Sequence, residues 1–343
     1  MKSISRRKAC MMFAKLVPWF AAGLGFATFF NSKSSQSLSK MRLVSTTTIS
    51  KQSGDLIAEI DRLKQLALAK KSNLYRPPNK NELSQFKTLT ETIIAGDLVT
   101  AKAQAEELDY ELIEFLDSST EQTFLCLKEQ TNQKSALRGW GSYFFNSNPE
   151  AKGIVEVPHI LADRFTEIIG VKAFLSAKAR GFLLAGAHRN ANGFNTADVC
   201  DPISSVFQTV HEVLVDTGQK TWQVHGFLRR RDFPPYARAV LSDGQGNISS
   251  AIKDLDRRLD LSQIHAYVYN LLPKSSPENR QINQQFSGRV FAELGGTQNV
   301  QGIYSHSKEL AFTHIELSKK VRSSKAYRDR AAEAIAESIR AIS

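Results

Sequence analysis

The chain has 343 residues, 42% of them hydrophobic and 9% aromatic, which suits one large globular domain plus a smaller module and excludes an extended disordered chain. Its formal net charge of +11 points at first to nucleic acid, but residues 1–40 hold seven Lys or Arg and no acid, which leaves only +4 on the rest. No nucleic-acid partner is expected.

The N-terminus reads as a targeting segment. Lys2, Arg6, Arg7 and Lys8 precede an apolar run from Leu16 to Phe30, 15 residues long, short for a membrane span and suited to a signal-peptide core. Residues 1–31 are therefore expected to be a signal peptide or membrane anchor, and Ser5-Arg6-Arg7 resembles a twin-arginine export signal. The mature chain is expected to be exported, either periplasmic or membrane-anchored. Cys126 and Cys200 lie in apolar or strand-edge contexts and read as buried thiols rather than a pair.

Residues 32–53 are rich in Ser, Thr, Lys and Gln and form a polar linker. A small helical module follows over 54–109. Leu56, Ile57, Ile60, Leu63, Leu66 and Ala67 recur at helical spacing, Pro77-Pro78 ends that pattern, and further helices run over 81–95 and 98–108. From 110 to 343 the texture is α/β. Strands are expected at 124–127, 153–158, 181–187, 221–225, 237–241, 264–269 and 311–316. Helices are expected at 164–179, 203–215, 248–259 and 324–342. The segment 139–145 reads as a loop or edge strand, and the polar stretch 272–285 as a long loop over the sheet edge. Alternation at this spacing predicts an α/β fold with a mostly parallel or mixed, doubly wound sheet flanked by helices.

Four apolar runs end on residues that bind metals or move protons: His159, His188 with Arg189, His225, and Glu316. In open α/β sheets the ligand crevice lies beyond the carboxyl ends of the strands, so four such ends would build one polar site. His159 precedes two carboxylates, Asp163 and Glu167, either of which could share a cation with it. His225 is followed by Gly226, which allows close backbone approach. Two His and one carboxylate with an open position form a catalytic zinc set. Arg189 offers a planar fork for a substrate carboxylate, with His188 beside it. Glu316 could move a proton between water and a leaving group; a strand-end Glu paired with Lys319 or Arg322 is the structural alternative. His211 sits on the apolar face of a helix and reads as structural. His265 and His306 read the same way, while His314 alternates with Glu316 and shares its strand face.

The set Val-Pro-His159 with Asp163 and Glu167, Gln-Val-His225-Gly, and Phe-Thr-His-Ile-Glu316-Leu-Ser with Arg322 resembles the zinc carboxypeptidase-like superfamily. The closer likeness is to its compact branch of poly-gamma-glutamate hydrolases and N-formylglutamate amidohydrolases, and it covers roughly residues 110–343. The resemblance implies zinc at the strand ends, held by His159, His225 and Asp163 (Glu167 as the alternative carboxylate), Glu316 as proton shuttle, and Arg189 receiving a substrate carboxylate. The family's His-x-x-Glu spacing is absent, since Ala162 stands where that carboxylate would be. The leading expectation is an exported zinc-dependent hydrolase of an amide bond in a peptide or acylated amino acid. The alternatives are a membrane-tethered binding protein on a hydrolase-like fold, and a His-dependent phosphatase using Arg164, Arg189 and Arg229–Arg231.

Overall fold

The computed structural model describes residues 48–131, 136–201, 204–228, 237–282 and 286–342. The expected targeting segment at 1–31, most of the linker, and Arg229–Arg231 lie outside these residues. No helix among the described residues is long and apolar enough to cross a membrane.

The alternating runs fold into one mixed sheet. In chain order its strands are β1 (Ser50–Gly54), β2 (Tyr110–Asp117), β3 (Thr123–Glu129), β4 (Ser142–Asn146), β5 (Ile154–Val157), β6 (Gly181–Leu184), β7 (Thr221–Phe227), β8 (Ala239–Ser242), β9 (Ala266–Tyr269), β10 (Ser287–Gly288) and β11 (Phe312–Ser318). Across the sheet they run β1-β2-β3-β4-β6-β5-β7-β11-β8-β9-β10. Four adjacent central strands, β6, β5, β7 and β11, are mutually parallel. Antiparallel pairing sets in at β4 on one side and at β8 on the other.

The helices are α1 (Leu56–Leu66), α2 (Lys80–Ile94), α3 (Leu98–Glu107), α4 (Thr166–Ala177), α5 (Val206–Asp216), α6 (Ser250–Leu261), α7 (Val300–Ser307), α8 (Lys319–Ser323) and α9 (Lys325–Ile342). The chain leaves β5 through α4 to reach β6, then returns through α5 to β7 on the other side of β5. Crossovers of one hand that move in opposite directions must place their helices on opposite faces. They do so here: Ile169 and Phe174 of α4 share a core with Ile335 of α9 and Leu255 of α6, while Phe207 and Leu214 of α5 share the other with Phe86 of α2. The reversal of strand order beside β5 is the topological switch point, where a crevice opens at the strands' carboxyl ends.

Each central strand divides its residues between the faces with period two. Val155, Val157, Trp222, Val224, Ile315 and Leu317 enter the core under α4, α6 and α9. The intervening residues Glu156, Gln223, His225, His314 and Glu316 turn to the opposite face, and all are buried. That face therefore carries a polar row within an otherwise apolar interior.

Four segments differ from the expectation, the first being β2, a strand of eight residues where none was expected. Residues 142–146 are no edge strand: β4 pairs on both sides, with β3 and β6, and all five residues are buried. The end of the polar linker forms β1, which lies parallel to β2. The region after 285 adds β10 and α7, which the alternation pattern did not show. The described part of the stretch 272–285, residues 272–282, follows β9 near the sheet edge and includes a 3-10 turn over Glu278–Gln281.

The segment leading from β6 to Arg189 passes close to the backbone at 139–141. A Cβ on Gly186 would lie 2.5 Å from the Gly141 amide nitrogen and 2.8 Å from the Gly139 carbonyl carbon. Neither neighbour is a side chain that could swing away. Gly186→Ala is accordingly expected to destabilise the fold by about 1–3 kcal/mol, seen as a lower urea midpoint with an unchanged m-value.

Candidate active site

A cavity of about 720 Å³ opens at the carboxyl ends of the central strands, lined by His159, Asp163, Arg189, His225, Glu316 and Arg322 among others. They come from the turn after β5, the loop after β6, strands β7 and β11, and α8. His159 follows β5 directly. Its carbonyl accepts the Asp163 amide at 2.8 Å, closing one helix-like turn that brings the two side chains to the same side. His225 lies in β7, and Glu316, its register partner in β11, stands beside it. Arg189 comes from the loop after β6, its side chain 42% exposed.

Three donor atoms converge. His159 Nδ1 is 3.2 Å from His225 Nδ1 and 3.2 Å from Asp163 Oδ2, and His225 Nδ1 is 3.6 Å from the same oxygen. The outer nitrogens of both rings are occupied elsewhere. His159 Nε2 faces Asp198 Oδ1 at 2.9 Å and His225 Nε2 faces Gln223 Oε1 at 2.6 Å, so both Nδ1 atoms point at one shared place. Asp163 Oδ2 also accepts the Gly226 amide at 3.0 Å.

Charge is distributed unevenly. Burial would raise the Asp163 carboxyl, but contacts with His159 and His225 outweigh it and hold it well below the usual range. Burial would lower His159, but the Asp163 and Asp198 carboxylates hold it well above its ordinary value. His225 is depressed, chiefly by burial, and His314, packed on it with ring centroids 4.4 Å apart, is depressed well below its ordinary value for the same reason. Glu316 goes the other way: burial, with the neighbouring Asp163 charge, pushes it up to about 8. Its Oε2 and the Nδ1 of His314 are buried with no hydrogen-bond partner among the described residues. Two carboxylates of one cavity are thus held in opposite protonation states near neutral pH, the arrangement that separates an acid from a base.

Glu167, the alternative carboxylate, stays out of this group. It is buried on α4 and forms an ion pair with Lys64 of α1. His188 does not line the cavity; its Nδ1 accepts the Asn190 amide at 3.0 Å. Arg322 does line it, but most of its fork is spent on backbone carbonyls. Nε donates to Leu317 at 3.0 Å, Nη1 to Arg164 at 2.7 Å and Nη2 to Phe227 at 3.2 Å, which leaves each terminal nitrogen one hydrogen for a ligand. Gly226 makes this possible, since a Cβ there would fall 2.5 Å from the Arg322 Cζ. His211 is fully buried between Glu156 and Gln301, a structural placement, and His265 pairs with Asp260 near the surface.

Two members were not singled out in the sequence. Asp198 sits in the polar loop Asn190–Asp198, with no histidine next to it; the signal available was an Asn-, Gly- and Asp-rich stretch following a strand end. Gln223 is two residues before His225 and so on the same strand face, but an amide attracts no attention as a ligand. A second cluster, His159 with Asp198 and Cys200, is less suited to a cation, because burial pushes the Cys200 thiol up to about 12; a third joins His225, His314 and Glu316.

No family model and no curated protein matches the chain. Solved structures do. A bacteriophage poly-gamma-glutamate hydrolase is similar over 55% of this chain and 82% of its own, at 13% identity and a TM-score of 0.33. An N-formylglutamate amidohydrolase from Ralstonia eutropha is similar over 56% and 95%, at 11% and 0.32. A metallo-carboxypeptidase from Burkholderia cenocepacia is similar over 78% and 70%, at 8% and 0.32. The relationship is distant. Both groups that the site residues resemble are among these structures.

Two substitutions separate the neighbouring carboxylates. Glu167→Gln is expected to lower stability by about 1–3 kcal/mol through loss of its partner to Lys64, measured by chemical denaturation, with only small shifts in the imidazole NMR signals of His159 and His225. Asp163→Asn is expected to move both sets of signals.

Proposed function

We propose that the chain is a metal-dependent hydrolase that cleaves an amide bond in a peptide or acylated amino acid. The observation that carries this reading is the triangle of His159 Nδ1, His225 Nδ1 and Asp163 Oδ2, with sides of 3.2, 3.2 and 3.6 Å. Ligands about 2.0–2.1 Å from a tetrahedral zinc lie about 3.3–3.4 Å from one another, so the three donors suit that ion with little movement. The donor set, two imidazoles and one carboxylate, is that of a catalytic rather than a closed structural site. The hydrogen bonds of the outer ring nitrogens to Asp198 and Gln223 leave the facing Nδ1 atoms as donors of lone pairs, the orientation that metal-binding histidines need.

Zinc bound there would polarise the scissile carbonyl and activate a water. The chain's own groups supply the rest. Glu316 lines the same cavity, buried and with one oxygen unpartnered; a cation held in the triangle would favour its ionised form, which would take the proton of the attacking water and deliver it to the leaving nitrogen. Arg189, at the partly exposed rim, would hold a substrate carboxylate through its planar fork. The remaining N–H groups of Arg322 would add one or two hydrogen bonds deeper in. Burial of Glu316 and Arg322 on the cavity floor would strengthen their contacts relative to those at the rim.

Export fits the same reading. Residues 1–31 would direct the chain out of the cytoplasm or tether it to the membrane, and the substrate would be met there.

The purified full-length protein, supplied with zinc, is expected to hold close to one ion per chain by elemental analysis. The His159→Ala, His225→Ala double variant should hold none. A folded parent that takes up no zinc would remove the proposal. Once an amide substrate is found, Glu316→Gln is expected to lower kcat about 10²–10⁴-fold with zinc content unchanged.

A further inference from the structure

Behind the cavity the polar row continues into the protein, through groups that bind nothing in the proposed reaction. Gln223, fully buried on β7, lies between two sets of partners. Its Oε1 accepts from His225 Nε2 at 2.6 Å and from Asn299 Nδ2 at 2.6 Å. Its Nε2 donates to Glu156 Oε2 at 2.8 Å and to Gln301 Oε1 at 3.1 Å. Glu156 is its register partner on β5 and also meets His211 Nδ1 at 2.7 Å. Gln301 is itself fixed, because its amide nitrogen donates to the Val199 carbonyl at 2.8 Å.

A primary amide can be turned end for end with little change of shape, so only its partners decide which end faces where. Turned over, Gln223 would set its oxygen against the Glu156 and Gln301 oxygens and its hydrogens against the Asn299 amine. Both contacts would be lost in a fully buried place, at a cost of about 1–3 kcal/mol for each buried group left unpaired. The carboxylate of Glu156 therefore keeps the oxygen of Gln223 toward His225. Facing an acceptor, His225 Nε2 must carry the hydrogen, and Nδ1 is left bare toward His159 and Asp163.

We infer that Gln223, held in one orientation by Glu156 and Gln301, is a positioning residue that sets the tautomer of His225. This rests on the reading of His225 as a metal ligand for its purpose, but not for its test. Without Gln223 the buried Nε2 hydrogen would lose its acceptor, and the alternative tautomer could donate from Nδ1 to the Asp163 carboxylate. That tautomer has no lone pair to offer inside the triangle.

The test is made first without metal, by long-range 1H–15N NMR of histidine-labelled full-length protein at neutral pH. The parent is expected to show His225 with its hydrogen on Nε2. In Gln223→Met, which keeps the side-chain length and removes the acceptor, the hydrogen is expected on Nδ1. The paired exchange Glu156→Gln with Gln223→Glu preserves one amide, one carboxylate and the charge, and it should return the hydrogen to Nε2. A folded Gln223→Met protein that keeps the hydrogen on Nε2 overturns the inference, as does a parent with it on Nδ1. Should Gln223→Met fail to fold, the paired exchange alone decides: hydrogen on Nε2 supports the inference and hydrogen on Nδ1 overturns it. Zinc titration forms a separate arm, with affinity expected to fall about 10–100-fold in Gln223→Met and to recover in the exchange. A parent that binds no zinc but shows the tautomer change would sink the hydrolase reading and leave this one standing.

Discussion

A sheet interior accepts polar side chains only when each finds a partner, because an unpaired buried amide or carboxylate costs more than its packing returns. That constraint governs the centre of this molecule. Glu156, Gln223, His225, His314 and Glu316 occupy one face of three adjacent parallel strands, where the period-two pattern would ordinarily place Val or Ile. Partners for them must come from the helices covering that face, and they do: His211 from α5, Gln301 at the start of α7, and Asn299 just before it. The covering helices are thus chosen for hydrogen bonds as well as for apolar area.

The network is complete at one end and open at the other. Toward α5 and α7 the buried amides and the Glu156 carboxylate are satisfied. At the cavity, Glu316 and His314 each keep an unpartnered atom. Incomplete satisfaction of buried polar groups is expensive, and in folded proteins it concentrates where a ligand supplies what is missing. The electrostatics follow the same division. Asp163 is held ionised by two imidazoles, and Glu316, with no such company, is pushed toward its neutral form.

Much of the fold was legible because the decisive signal was local. Short Val-, Ile-, Leu- and Phe-rich runs alternating with amphipathic stretches mark buried parallel strands and their crossovers, and the switch point follows from strand order. β1 was not legible, since Ser-Lys-Gln-Ser-Gly has neither apolar residues nor alternation; its strand state comes from pairing with β2. β4 was misread because its flanking Gly139 and Gly141 suggested an irregular edge, whereas they allow close backbone passage. Within the site, residues at the ends of apolar runs announced themselves, and His159, Asp163, His225, Arg189 and Glu316 do meet at one cavity. Asp198 and Gln223 did not, as their roles depend on which atom of a histidine they touch. Glu156 was the missed clue, a carboxylate in the middle of a buried strand.

The Lys64–Glu167 ion pair joins α1 to the second residue of α4. One residue earlier, Thr166 hydrogen-bonds the Asp163 carbonyl through both its amide and its hydroxyl. The turn that carries His159 and Asp163 is therefore braced from outside by a helix more than ninety residues upstream. Anything that binds in the cavity and stiffens this turn must also tighten the grip on α1, and by reciprocity an undocked α1 must loosen the ligand by the same free energy. Accessibility to a protease of the 67–79 connection, which hydrogen-bonds along the segment carrying Arg189 through Leu68, Lys71 and Asn73, would then report whether the cavity is filled.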